Sequence, residues 1–447
     1  MVCIYVLLTY QITVLANTKK QSGGTGMSAT TITLLFLLFA IVCFISEKIP
    51  LGLTATIVAI GLNVTGVLDA SATFKGYVNS NVILCVGMFV VGQALFETGM
   101  ANRIGGVVTK FAKTERILIV AIMVIVGVMS GFLSNTGTAA VLIPVVCGIA
   151  DESGYSRSRL LIPLVFAAAL GGNISIIGAP GNLMGVNALQ ELGMKTSFFM
   201  YAPIGIPMLV VGTIYFVFIG DRLLPDAKGA GEVAVENKND FSTVPKWKQI
   251  TSLAVLILVI LAMIFEDQIG IAIHVSACIG ACVLVLTGVI SEKDALKAID
   301  LKVVLLFGGS LALANALDTT GAGTLIADTI VGFLGTNPNP IVLLLVIFIV
   351  TCLLTNFMSN TATTALMVPI AVSLANSLQA DPRAVVIATV IAGSCAYATP
   401  IGMPANTMVV GLGGYKFKDY VKAGLPLIFV SFVLCMVLLP ILFPFYN

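Results

Sequence analysis

The sequence Ser-Gly-Phe-Leu-Ser-Asn-Thr-Gly-Thr at residues 130–138 returns, only slightly changed, as Thr-Asn-Phe-Met-Ser-Asn-Thr-Ala-Thr at residues 355–363. In both copies a hydroxyl residue stands four positions before the Ser-Asn-Thr triplet, and a proline lies ten positions after the triplet's serine. Both copies are embedded in apolar sequence, where a short polar run is unfavourable unless its groups are used. Two such runs in the two halves of one chain indicate one binding site built from two repeats.

The composition indicates a membrane protein. Of the 447 residues, 58% are hydrophobic and 10% are charged, which is more apolar surface than a soluble domain can bury. We therefore predict an all-α polytopic protein with about 10–11 transmembrane helices in a cell membrane, typical of a bacterial inner membrane. The net charge of +2 gives no indication of a nucleic-acid partner. No nucleophile–base pair or metal-like cluster lies within the spans, so an enzyme with catalytic residues is not predicted.

A second pair of motifs follows the first. Residues 178–182 read Gly-Ala-Pro-Gly-Asn and residues 402–406 read Gly-Met-Pro-Ala-Asn, at an offset of 224 residues, against 225 for the triplets. Glycine and proline together do not continue a regular helix, so these motifs predict a broken transmembrane helix in each half. The polar triplets interrupt segments too long for one span, which predicts a re-entrant hairpin in each half.

The offsets divide the chain into two repeats. We predict an N-terminal extension or short first helix at 1–29, a first inverted repeat at 30–220, a cytoplasmic linker at 221–248 and a second inverted repeat at 249–447. Each half has an odd number of crossings, and this arrangement places 18 of the 23 basic residues on the cytoplasmic side, as the positive-inside rule expects. Residues 100–116 and 319–338 are predicted to form interfacial helices.

Broken helices expose groups that bind ions. Backbone N–H groups at a helix N-terminus attract anions, and free carbonyls at a helix C-terminus coordinate small cations. Side chains of serine, asparagine and threonine serve either charge. The predicted substrate-binding residues are Ser134, Asn135, Thr136 and Pro180 in the first half, and Ser359, Asn360, Thr361 and Pro404 in the second.

An anion at these motifs would have no arginine or lysine beside it in the sequence, so co-bound cations are the simplest counter-charge. Ligand sets made only of oxygen favour a hard ion such as Na⁺. The predicted cation ligands are Ser130, Ser134, Asn135 and the carbonyl of Gly178 in one cage, and Thr355, Ser359, Asn360 and the carbonyl of Gly402 in its twin. The alternative for such residues is hydrogen bonding between helices.

At these residues the sequence resembles the divalent anion:sodium symporter family. That family carries paired Ser-Asn-Thr motifs on two opposed hairpins and a Gly-x-Pro-x-Asn type of loop in each broken helix, and the resemblance covers about residues 30–445. It implies a secondary active transporter that imports a divalent organic anion, such as a C4-dicarboxylate, by Na⁺ symport. It also implies a homodimer in the lipid bilayer and an elevator motion of the hairpins and broken helices against a scaffold of residues 30–98 and 249–318.

The broken-helix loops depart from the family pattern. Many relatives have Ser-Pro-Pro or Thr-Pro-Pro before the loop asparagine, whereas this chain has Ala-Pro-Gly at 179–181 and Met-Pro-Ala at 403–405. The anion therefore stays open between succinate, tartrate, citrate and sulfate. The alternative functions are a Na⁺-independent anion exchanger, a cation/proton antiporter or metalloid permease of the same superfamily, and an anion channel.

Overall fold

The computed structural model describes residues 27–46, 48–107, 114–225, 241, 244–334 and 339–446. Most of the predicted N-terminal part, residues 108–113 of the predicted first interfacial helix, most of the predicted linker and residues 335–338 lie outside the described residues. The regular structure of the described residues is helical, without a β-strand. This confirms the predicted all-α fold.

Long apolar helices dominate the described chain. Seven of its helices are long and apolar enough to cross a membrane: Ala29–Ser46, Ala70–Glu97, Asn135–Ser153, Ala202–Leu223, Lys246–Ile264, Leu301–Thr319 and Phe417–Leu442. Four shorter apolar helices are Leu51–Val64, Ile273–Leu286, Pro340–Thr355 and Pro382–Gly393. The protein is a multi-pass membrane protein, as the composition predicted.

Further helices lie between these in the chain. They are Met100–Gly105, Glu115–Ser130, Arg157–Gly171, Pro180–Glu191, Glu266–Ile269, Glu292–Ala298, Ala322–Leu334, Asn360–Ser377 and Pro404–Gly413. The predicted interfacial helix at 100–116 is not one helix. Its last residues start a new helix at Glu115, because the side chain of Thr114 accepts a hydrogen bond from the N–H of Ile117 and caps that start.

Among the described residues, one compact unit comprises those at 27–79 and 301–334. Within it, helix Leu301–Thr319 packs along helix Leu51–Val64. A Cβ added at Gly309 would lie 2.4 Å from the carbonyl carbon of Ala55, so the two backbones approach too closely for any larger residue there. Small residues at such a crossing are typical of helix packing in membranes.

The other compact unit comprises the described residues at 80–300 and 339–446. It contains the first hairpin (Glu115–Ser130 and Asn135–Ser153) and the second hairpin (Pro340–Thr355 and Asn360–Ser377). It also contains the first broken helix (Arg157–Gly171 and Pro180–Glu191) and the second (Pro382–Gly393 and Pro404–Gly413). Each predicted interruption is therefore present, with the hairpin tips at residues 131–134 and 356–359.

The two halves of the chain interlock within this second unit. The second arm of each broken helix packs against the second arm of the other half's hairpin. At one such crossing, a Cβ added at Gly181 would lie 2.9 Å from Oγ1 of Thr364. The first broken helix therefore reaches the second hairpin one turn beyond Asn360. The division into inverted repeats stays a prediction, which the following labelling experiment tests.

Lys195 and Lys418 follow the two broken helices and are both exposed. Inverted repeats place Lys195 outside and Lys418 in the cytoplasm. In a cysteine-free background, we expect Lys195→Cys to react with a membrane-impermeant maleimide in intact cells. Lys418→Cys should react only after permeabilisation, as should Lys293→Cys, an exposed control on the predicted cytoplasmic side. Labelling of Lys195→Cys and Lys418→Cys from the same face would contradict the inverted arrangement.

Candidate functional site

The serine of each triplet begins a helix. The side chain of Ser134 accepts a hydrogen bond from the N–H of Gly137 at 3.1 Å, and Ser359 accepts one from Ala362 at 3.2 Å. Each serine is thus the N-cap of a hairpin's second arm, which directs the N-terminal N–H groups of that arm toward the tip. Each serine hydroxyl accepts this bond and still has its own proton to donate. That it also binds the anion or the cation stays a prediction.

A small polar cluster lies behind the first tip. The hydroxyl of Ser130 is 2.7 Å from the carbonyl oxygen of Ala168 and 2.8 Å from the side-chain amide of Asn135. Ser130 is fully buried, and Asn135 is nearly so. A hydroxyl has one proton, so it donates to only one of these two neighbours. If the hydroxyl donates to Ala168, the contact with Asn135 is a hydrogen bond when the amide nitrogen faces the hydroxyl and donates to it.

The second half repeats this cluster. The hydroxyl of Thr355 donates to the carbonyl oxygen of Gly393 and lies 2.9 Å from the side-chain amide of Asn360. The separations along the chain, from hydroxyl to carbonyl and from hydroxyl to amide, are the same as in the first half. The duplication seen in the sequence is therefore also a duplication of contacts.

In the side-chain amides of Asn135 and Asn360, one of the two terminal atoms (nitrogen or oxygen) faces three oxygen atoms. For Asn135 these are the oxygens of Ser130, Ala168 and Gly178, at 2.8, 3.1 and 3.0 Å. For Asn360 they are the oxygens of Thr355, Gly393 and Gly402, at 2.9, 3.2 and 3.2 Å. An amide nitrogen at this position has two protons to share among these oxygens and satisfies the cluster by hydrogen bonding alone. With the amide oxygen there instead, a hydroxyl, two carbonyls and the amide present four oxygens, which are the ligand type that a hard cation prefers.

The structure brings together three of the predicted cation ligands in each half, namely Ser130 with Asn135 and Gly178, and Thr355 with Asn360 and Gly402. The fourth predicted ligand in each half is the capping serine, half-buried at the tip. Three of the four residues of each predicted cage therefore lie together, and binding of a cation there stays a prediction.

The loop of each broken helix is held by its asparagine. Nδ2 of Asn182 donates to the carbonyl oxygens of Gly172 and Ser175, both at 2.7 Å. Nδ2 of Asn406 donates to the carbonyl oxygens of Ala396 and Thr399, at 2.7 and 3.0 Å. These carbonyls are freed where the helix stops. A bilayer interior offers them no water, so the amides replace the missing helical hydrogen bonds.

Two tyrosines complete this arrangement and were missed in the sequence. The hydroxyl of Tyr201 donates to the carbonyl oxygen of Asn182, and that of Tyr420 to the carbonyl oxygen of Asn406, each at 2.7 Å. Both tyrosines are fully buried. The signal that could have found them is a Phe-x-x-Tyr pattern that begins at Phe198 and again at Phe417.

A cavity of about 280 Å³ lies at the first tip. Three of the predicted substrate-binding residues line it, namely Ser134, Thr136 and Pro180, and so do Gln93 and Asp300, which sequence reasoning did not single out. Among its described lining residues, Asp300 has the one charged side chain. The predicted residues of the second half, Ser359, Asn360, Thr361 and Pro404, do not line this cavity; the first three are half-buried and Pro404 is exposed.

Comparison with known proteins adds the following. The sequence profile of the citrate transporter family matches residues 41–392 and 260–446. A transporter of Escherichia coli, YfbS, is 34% identical over 198 residues, or 42% of this chain, and the chain spans about a third (32%) of that relative's length. The sodium-dependent dicarboxylate transporter SdcS of Staphylococcus saprophyticus is 24% identical over 98% of this chain and 90% of its own.

The fold is also similar to a solved structure. The YdaH transporter of Alcanivorax borkumensis superimposes with a TM-score of 0.61 at 15% identity, over 92% of this chain and 97% of that chain. At this identity the match concerns the fold alone. The fold and the relatives together confirm the transporter resemblance that the paired motifs predicted.

Replacing Gly178 by alanine tests the loop geometry. The added Cβ would lie 2.4 Å from the carbonyl oxygen of Gly172, so the loop that presents the Gly178 carbonyl must shift. We expect a loss of about 1–3 kcal/mol of stability, seen as a lower Tm in thermal unfolding of the purified protein. Gly148→Ala is the control, because nothing lies within 4 Å of a Cβ there. Equal Tm values for the two variants would refute the close packing of this loop.

Proposed function

Because the chain belongs to the citrate transporter family, we propose that it is a secondary active transporter that imports a divalent organic anion, such as a C4-dicarboxylate, together with Na⁺. The observation that carries this proposal is the convergence of a hydroxyl, two backbone carbonyls and one amide behind each hairpin tip. The name of SdcS, a sodium-dependent dicarboxylate transporter, supports the same pairing of solutes.

The local charge supports a co-transported cation. The first-tip cavity is lined by the carboxylate-bearing Asp300, and among its described lining residues there is no arginine or lysine. A dianion would meet N–H groups at the starts of helices Asn135–Ser153 and Pro180–Glu191, whose partial positive charge is short of two full charges. Cations behind the tips supply the remaining positive charge and lower the desolvation penalty of the anion.

The side-chain amides supply a route for coupling. With Na⁺ in the cage, the oxygen of Asn135 faces the cation, so its NH₂ group turns away from the cage and can donate to a carboxylate. Without Na⁺, the NH₂ group satisfies the carbonyl oxygens of Ala168 and Gly178, and the amide oxygen that turns outward repels an anion. One amide thus favours the anion only when the cation is bound, and Asn360 does the same in the second half. Such differential binding is what coupling requires.

We further propose that the hairpins and broken helices move as one body, in an elevator motion, in a homodimer. The cross-packing of each broken helix on the other half's hairpin supports a common motion, since one tip cannot move far without the other. The homodimer rests on the family resemblance.

Uptake into proteoliposomes tests the transport proposal. We expect radiolabelled succinate to accumulate above its external concentration when an inward Na⁺ gradient is imposed, and not with K⁺ in place of Na⁺. Citrate, tartrate and sulfate as unlabelled competitors identify the preferred anion. Accumulation that is independent of Na⁺ but requires an anion inside the proteoliposomes would indicate an exchanger and contradict symport. Uptake that never exceeds the equilibrium distribution of succinate would indicate a channel.

Substitutions separate the cation cage from the anion contacts. Ser130→Ala and Thr355→Ala each remove one neutral ligand of a charged group, so we expect the Na⁺ concentration for half-maximal uptake to rise roughly 10-fold. The apparent anion affinity at saturating Na⁺ should change much less.

Asn135→Ala and Asn360→Ala should weaken both Na⁺ binding and anion binding. We expect the apparent anion affinity to fall roughly 10–150-fold. Ser431→Ala is the matched control, because that buried hydroxyl bonds the carbonyl of Leu427 within its own helix. Unchanged Na⁺ dependence in Ser130→Ala and Thr355→Ala would place the cation elsewhere.

A further inference from the structure

The Phe-x-x-Tyr pattern pairs equivalent residues in the two halves. Phe198 corresponds to Phe417, and Phe132 at the first tip corresponds to Phe357 at the second. In the first half the rings of Phe132 and Phe198 are stacked, with centroids 6.4 Å apart and an angle of 15° between the planes. Phe199 meets Phe132 edge-on at 6.3 Å. These three rings therefore pack against one another beside the first tip.

The equivalent space beside the second tip is open. Phe357 and Phe417 are 52% and 53% exposed, against 6% for Phe198. Both line a cavity of about 580 Å³. Lys418 stands where the first half has Phe199, so the ring that completes the first cluster has no counterpart. We call this cavity the second-tip groove.

A backbone difference explains why the groove stays open. In the first half the N–H of Ile176 donates to the carbonyl oxygen of Phe198 at 3.1 Å, which ties that phenylalanine to the broken-helix loop. The equivalent loop residue in the second half is Pro400, which has no N–H to donate. The segment that carries Phe417 is therefore not tied to its loop in this way.

The groove is long and apolar. It runs between the first arm of the second hairpin, which has 16 residues, and helix Phe417–Leu442, which has 26. At a rise of about 1.5 Å per residue these measure about 24 and 39 Å, so the helix continues beyond the arm. Its lining includes Phe348, Leu353, Val421, Leu425, Phe429 and Phe432.

Basic residues stand at one end. Lys416, Lys418 and Lys422 are exposed and surround the groove residues Phe417 and Val421 in the sequence. The helix starts there too, and the carboxylate of Asp419 in its first turn accepts a hydrogen bond from the N–H of Lys416, so the three lysines exceed the local negative charge by two. The predicted topology places this end at the cytoplasmic surface, where anionic headgroups attract lysine.

We propose that the second-tip groove binds one acyl chain of an anionic phospholipid, whose phosphate lies at Lys418 and Lys422. An apolar cavity of this size that opens on a membrane-spanning helix suits a hydrocarbon chain, and the lysines select the charge of the headgroup. The groove lining also includes Asn356 and Thr399. Because Thr399 donates to the carbonyl of Asn356, a bound acyl chain lies beside a hydrogen bond that holds the second tip.

Filling the groove tests the acyl-chain site. We expect Leu425→Trp to lose the phosphatidylglycerol that the wild-type protein retains after purification in detergent, as measured by native mass spectrometry. Val437→Trp is the matched control, since Val437 lies on the same helix, outside the groove lining, and is 53% exposed against 52% for Leu425. Retention by Leu425→Trp equal to that of the control would overturn the proposal.

Neutralising the lysines tests the headgroup. In Lys418→Gln/Lys422→Gln, we expect the preference for phosphatidylglycerol over phosphatidylcholine to fall roughly 25-fold, about fivefold per lysine. Lys293→Gln/Lys297→Gln, at exposed lysines on the same predicted side, should keep the preference. These surface changes leave the core intact. A wild-type protein that retains both lipids equally would refute the proposal, as would a preference unaffected by the loss of Lys418 and Lys422.

Discussion

The structure depends on the hydrogen bonds that replace those lost where a membrane helix is interrupted. A carbonyl left without a partner in a buried place costs about 1–3 kcal/mol, and each broken helix frees several. Asn182 and Asn406 each satisfy two of them, and a buried tyrosine then fixes each asparagine's own carbonyl. Because these bonds hold the loop, the carbonyls of Gly178 and Gly402 keep defined positions near Asn135 and Asn360.

The halves follow one plan but differ in detail. Hydroxyls of Ser175 and Thr399 tie both loops to their hairpin tips through the carbonyls of Gly131 and Asn356. The first loop has in addition the bond from Ile176 to Phe198, which proline excludes in the second. The second tip instead has the side chain of Asn356, which accepts from the N–H of Ala398 and donates to the carbonyl oxygen of Cys395, and it borders open apolar space. The two hairpin tips of a duplicated site can in this way have different hydrogen bonds and different surroundings.

Much of this architecture could be predicted from the sequence, because interruptions in apolar segments carry strong local signals. The hairpins, the broken helices and the proximity of Ser130 to Asn135 follow from glycine, proline and spacing. The cavity residues Gln93 and Asp300 could not be predicted, since distant elements bring them to the tip. Tyr201 and Tyr420 resemble ordinary tyrosines at the starts of apolar helices. The split of residues 100–116 depends on the cap at Thr114, which a charge pattern does not reveal.

The close approach of Gly181 and Thr364 bears on how the chain is made. About 180 residues separate them, so at roughly 5–20 residues per second the ribosome needs about 10–40 s to supply the second partner. During that interval the second arm of the first broken helix is in the membrane without the hairpin on which it packs. During synthesis the first half therefore lacks part of its packing. Until the second half is inserted, the polar groups of its loop need hydrogen-bond partners from lipid headgroups, water or the insertion machinery.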